Sequence, residues 1–162
     1  MANESDDKKN SAPAELYYPP NHLAKAIGIG GGPSLREMEE AAGLRLSASR
    51  GEYKEVLQKT LARMKEVLAS EREAVEQQRE VFADAHDIKG QAPMLGYPLV
   101  GEIAVCTCSA IKDMPEKLNE HPDLLQLHVN AMRWAFLNEH DEGKKAEKSV
   151  LVQSLQDALA RV

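Results

Sequence analysis

Apolar positions recur at three- and four-residue steps through the second two-thirds of the chain, and this spacing predicts helices. Tyr53, Val56, Leu57, Leu61, Met64 and Leu68 form one stripe, starting just after Gly51. Ser70-Glu71-Arg72-Glu73 has the form of a capping box and predicts the start of a second helix. That helix carries Val81, Ala85, Ile88, Ala92 and Leu95, and Gly96-Tyr97-Pro98 ends it. Pro98 suits the first turn of a third helix, with Leu99, Ile103, Cys106, Ala110 and Met114 on one face, ending before Pro115. A fourth starts at His121-Pro122-Asp123 and presents Leu125, His128, Met132 and Ala135. Asp141-Glu142-Gly143 is a break, after which Val152, Leu155 and Leu159 mark a last helix. Short connections between amphipathic helices predict an all-α fold, an antiparallel up-and-down four-helix bundle.

The region before Gly51 reads differently. Residues 1 to about 20 are polar, and we expect a tail that is disordered at its start. Residues 21–34 hold four of the ten glycines. No Gly-Lys-Ser/Thr follows them and no strand precedes them, so a connector is expected rather than a phosphate cradle. Ser34 is placed to cap an extra short N-terminal helix over 35–42, ending near Gly43. The expected organisation is an arm over 1–50 and a helical domain over 51–162.

Composition narrows the function. With one Trp, four Tyr and two Phe in 162 residues, the chain is too poor in aromatics for an aromatic-rich β-sandwich. A net charge of −6 disfavours nucleic acid as a partner. No apolar run approaches the roughly 20 residues of a membrane span, and the N-terminus lacks a signal-peptide core. A cytoplasmic, monomeric protein is expected. Cys106 and Cys108, with no second Cys pair to complete a metal site, read as reduced thiols, at least one of them in a core. His128, on an apolar face, reads as a core histidine, and His22, His121 and His140 as structural or solvated.

One segment breaks the rules of a bundle helix: His86-Asp87-Ile88-Lys89-Gly90-Gln91-Ala92-Pro93. At about 100° per residue, His86 points about 140° from the centre of its helix's apolar stripe, with Lys89, Gly90, Pro93 and Phe82 on its side. A helical glycine costs about 0.5–1 kcal/mol. An interior proline costs about 3 kcal/mol and removes the partner of the carbonyl four residues back, here that of Lys89. Disfavoured residues that gather beside a solvent-facing His and Lys mark a function. An imidazole is a competent nucleophile near neutral pH, and phosphoryl transfer asks the protein mainly for positioning and charge stabilisation. A nucleotide loop and a metal-binding carboxylate cluster are missing, so a partner must supply them.

The run HDIKGQAPMLG resembles the signature of histidine phosphotransfer (HPt) domains: His86, Lys89 three on, Gly90 four on and Gly96 ten on, with an aliphatic residue at Ile88. The helical order over 51–162 is similar to that family's bundle, and GYPLV over 96–100 resembles bacterial forms. The resemblance implies that His86 is the phosphoacceptor, Lys89 neutralises the phosphoryl oxygens and Gly90 lets the partner approach. It implies a phosphocarrier without kinase activity of its own. Its expected partners are response-regulator receiver domains and a hybrid sensor histidine kinase. No cofactor is expected on this chain, and Mg²⁺ is expected on the receiver. Many members place a Gln on the following helix; the position compared here holds Cys108, to which no role is carried over. Pro93 departs from the family's commoner small residue. The alternative reading is a helical adaptor that docks signalling proteins through the same surface without phosphotransfer.

Overall fold

The computed structural model describes Pro20, His22 and residues 32–161. The expected N-terminal tail and most of the Gly-rich connector lie outside the described residues. The chain divides into two compact units, Met1–Glu39 and Glu40–Val162. The described residues form six α-helices and one 3₁₀ turn, with no strand among them. We number the helices α1 (Leu35–Ala69), α2 (Ala74–Gln91), α3 (Pro98–Asp113), α4 (Pro115–Glu120), α5 (Pro122–Asn138) and α6 (Lys145–Arg161).

Ser34 caps α1 as expected, and it does so reciprocally. The Glu37 amide donates to the Ser34 hydroxyl at 3.3 Å, while the Ser34 amide donates to the Glu37 carboxylate at 2.7 Å. These bonds to Ser34 lower the Glu37 pKa from its ordinary value. The short helix expected over 35–42 is corrected: α1 runs unbroken for 35 residues through Gly43 and Gly51. Two isolated glycines cost only about 1 kcal/mol each, and the Ala-, Leu-, Glu- and Arg-rich sequence around them favours helix without a proline to stop it.

Beyond Gly51 the helix buries Tyr53, Leu57, Leu61, Met64 and Val67. Val56, placed in the stripe by spacing alone, is exposed. Arg63 fastens this half of α1 to α2: its Nε donates to Oδ2 of the buried Asp84 at 3.1 Å and its Nη2 to Oδ1, a bidentate pair. The expected capping box at 70–73 does not form. Ser70 Oγ instead donates to the Val67 carbonyl at 2.6 Å, satisfying the end of α1, and α2 begins at Ala74 without a side-chain cap.

Helix α3 is the hub, packing against α2, α4, α5 and α6. It buries Leu99, Val100, Gly101, Ile103, Ala104, Thr107, Cys108, Ala110 and Ile111, a wider apolar surface than the single face expected. The short helix α4, opened by Pro115, was not expected. Gln78 of α2 holds it, donating to the Pro115 carbonyl at 3.1 Å and to Asn119 Oδ1 at 2.7 Å. In α5 all four expected core residues, Leu125, His128, Met132 and Ala135, are buried, and α6 contributes Leu155 and Leu159.

His128 is fully buried and its Nδ1 lies 2.8 Å from the Leu124 carbonyl, so Nδ1 carries the hydrogen and donates it. Nε2 has no partner, and burial pushes the pKa of the imidazole down. Protonation is therefore easier in the unfolded chain. The stability His128 contributes is complete above the unfolded histidine value, about 6.5, and is lost as pH falls through the lower native value. Urea unfolding of wild type should show decreasing stability as pH drops below about 6.5, and His128→Leu should flatten that slope. An unchanged slope in the variant would assign the effect to other groups.

Candidate functional site

Helix α2 turns Gln78, Val81, Asp84, Ala85 and Ile88 inward. Its opposite face carries the predicted residues. The His86 side chain is 59% exposed, and Gly90, one turn on, is exposed beside it. Lys89 and Phe82 sit at the margin, half-buried. The Phe82 and His86 ring centroids are 6.1 Å apart with planes inclined by 31°, so the phenyl ring flanks the imidazole as the spacing suggested. His86 Nδ1 lies 4.0 Å from Asp87 Oδ1, which gives the imidazole an acidic neighbour on one side.

Gly90 is bare in a specific sense. A Cβ built on it meets no heavy atom within 4 Å, so nothing in the fold requires a glycine here. The residue lowers helix stability and leaves an uncovered strip of backbone one turn from the imidazole.

Pro93 is not where the wheel put it. Helix α2 was expected to run to Leu95, but it ends at Gln91, with Ala92 as its C-cap, and Pro93 lies in the turn that follows. The turn is closed by the Tyr97 amide donating to the Ala92 carbonyl at 2.9 Å and by Gly96 at φ +98°, a conformation that favours glycine. Ala92 and Leu95 still pack on the core, so the apolar pattern was right although the backbone departs from the helix. Met94 in this turn is 73% exposed.

Helix α3, which packs against α2, carries the buried Cys108 within electrostatic reach of Lys89. Burial raises the pKa of its thiol, and the nearby Lys89 ammonium partly offsets that rise. Sequence reasoning left Cys108 without a role, and no spacing within α2 signals this proximity. Cys106 points elsewhere, into an apolar groove of about 390 Å³ lined also by Val105, Ser109, Lys117 and Gln156. Both cysteines are free thiols, as expected. Among the described residues no group of three or more His, Cys, Asp or Glu side chains is arranged to hold a metal ion. No helix among them is long and apolar enough to cross a membrane.

No family model matches this chain, and neither a curated protein nor a solved structure matches it at a significant level. The chemistry of the site must be argued from its residues. A solvent-facing imidazole, with a bare glycine and a half-buried lysine one turn on, makes an open helix face to which another molecule has direct access.

The Lys89–Cys108 proximity has a direct check. Removing the ammonium in Lys89→Ala should raise the Cys108 pKa further, moving its alkylation by iodoacetamide to higher pH while Cys106 is unaffected. Equal shifts at both thiols, read by peptide mass spectrometry, would refute a specific electrostatic contact.

Proposed function

We propose that this chain is a phosphorelay carrier, accepting a phosphoryl group on His86 from a receiver-domain aspartate and passing it to another receiver. The observation that carries the reading is the face of α2 on which the exposed His86 and the structurally unneeded Gly90 occur together, with Lys89 at its margin. The resemblance of the 86–96 run to the HPt signature points the same way. The finer architecture belongs to this reading too: an antiparallel up-and-down four-helix bundle over 51–162, preceded by an arm over 1–50.

In the proposed step the lone pair of the outward ring nitrogen of His86 attacks the phosphorus of an aspartyl phosphate. The nitrogen–phosphorus bond forms, the bond to the aspartyl oxygen breaks, and the carboxylate leaves with that electron pair. The imidazole keeps its other ring hydrogen and gains one positive charge, which Asp87 lies close enough to offset. Lys89 faces the phosphoryl oxygens and lowers the cost of gathering their charge against the helix. Gly90 lets the partner's backbone come close. The partner's Mg²⁺ neutralises phosphate charge when bound there. Transfer to a second receiver is the reverse sequence, and no nucleotide is consumed by this chain.

The test is phosphoryl transfer from a Mg²⁺-loaded phosphorylated receiver to wild type and to His86→Gln. An acid-labile, base-stable label on wild type alone supports the reading. No label from any of several receivers, with binding retained, would favour a phosphorylation-independent adaptor instead. Gly90→Gln separates fold from docking. The substitution should raise stability by about 0.5 kcal/mol through helix propensity, with open space for the side chain, yet slow transfer at least severalfold. A variant both more stable and fully active would remove Gly90 from the docking surface.

A further inference from the structure

Among the described glycines, Gly101 in the first turns of α3 is the one most closely approached, by Pro93 in the turn after α2. A Cβ placed on Gly101 would stand 2.6 Å from Pro93 Cγ and 2.8 Å from Pro93 Cδ. Real Cβ atoms do not come so close, so a side chain here forces a displacement. The obstructing atoms belong to a ring fused to the backbone, so no flexible side-chain end can swing aside. Gly101 is buried in α3, and the Gly101 amide donates to the Tyr97 carbonyl at 3.1 Å, which ties it to the same turn. Movement on the α3 side is resisted by Val100, Ile103 and Ala104, all fully buried.

Pro93 itself is exposed, so apolar burial does not account for it. Its location does. It stands three residues after Gly90 and four after Lys89, and its missing N–H ends α2 one turn past the site. The ring seated on a bare glycine then sets how closely this end of α2 lies against α3. Lys89 on α2 and Cys108 on α3 lie within electrostatic reach of each other between these packed helices.

We propose that Gly101 is a positioning residue for the His86 face: by admitting the Pro93 ring it fixes the separation of α2 and α3 beside Lys89 and Gly90. The role rests on the carrier reading only for its consequence in transfer, because the positioning is a property of the fold. Gly101→Ala drives the turn and the end of α2 outward, shifting Lys89 relative to His86. Displacement of positioned groups by about an ångström costs up to a hundredfold in rate, so a loss of roughly tenfold is expected in receiver-driven transfer. Removing the ring relieves the clash, so the double variant Pro93→Ala/Gly101→Ala regains most of the loss.

The experiment reads wild type, Pro93→Ala, Gly101→Ala and the double variant in two ways. Amide ¹H–¹⁵N spectra report the backbone at His86, Lys89 and Gly90; transfer kinetics report function. The inference expects these amides to shift in Gly101→Ala and to return towards the Pro93→Ala positions in the double variant, with transfer following. Unmoved amides in Gly101→Ala overturn it. So does damage that Pro93→Ala does not relieve, which would be general disruption of α3. Wild type that accepts no label defeats the carrier reading alone, since the amide spectra still decide the positioning.

Discussion

Burial of α3 is the constraint on which the rest depends. A helix whose apolar surface extends well beyond one stripe cannot stand at a surface; it must be enclosed, and here α2, α4, α5 and α6 enclose it. Its neighbours bury faces against it and against one another, and what none of them covers is left to water. The solvent-facing side of α2 is therefore a remainder, defined by which residues α3 does not take. Val81, Ala85 and Ile88 go inward, and His86 and Gly90 are left outside.

Charge and polarity refine what apolar packing begins. The bidentate Arg63–Asp84 pair ties α1 to α2 through a buried carboxylate, a contact that also excludes pairings in which Asp84 would be left alone. Glu139, at the end of α5, accepts from the Leu99 amide at 3.3 Å and so serves the start of α3 from another helix. Around the same corner Tyr97 stacks on Phe136 at 5.4 Å and meets Tyr53 at 6.3 Å. The connection between α2 and α3 is thus held by backbone, aromatic and carboxylate contacts together.

Much of this was legible in the sequence. Periodicity located α3, α5 and α6, because those helices are bounded by prolines and glycines that act locally, and it named half of their buried residues, while Cys106 and Met114 on the expected face of α3 are only partly buried. The face shared by His86, Lys89 and Gly90 followed from helical geometry alone. What escaped the sequence was governed by distant partners. Ser70 satisfies the helix behind it rather than the one ahead, and Gly43 does not stop α1. Pro93 looked like an interior helix breaker because its wheel position assumed a helix that the proline itself ends. Its fit against Gly101 could not be read from either residue, and a glycine in the most apolar helix was the only hint. Cys108 reaches Lys89 through the pairing of two helices, which spacing within one cannot reveal.

Helix α2 is held near both ends, and between them His86 and Gly90 are exposed on its outer side. At its start Gln78 is bonded to α4, and just past its end Pro93 is seated on α3. A segment fixed in this way has little conformational freedom left to lose when another surface meets it. Encounter with a partner then requires little ordering of this chain, and more of the contact energy remains for affinity and for discrimination among partners. Neither the arrival of another surface nor its departure would ask this helix to fold or unfold.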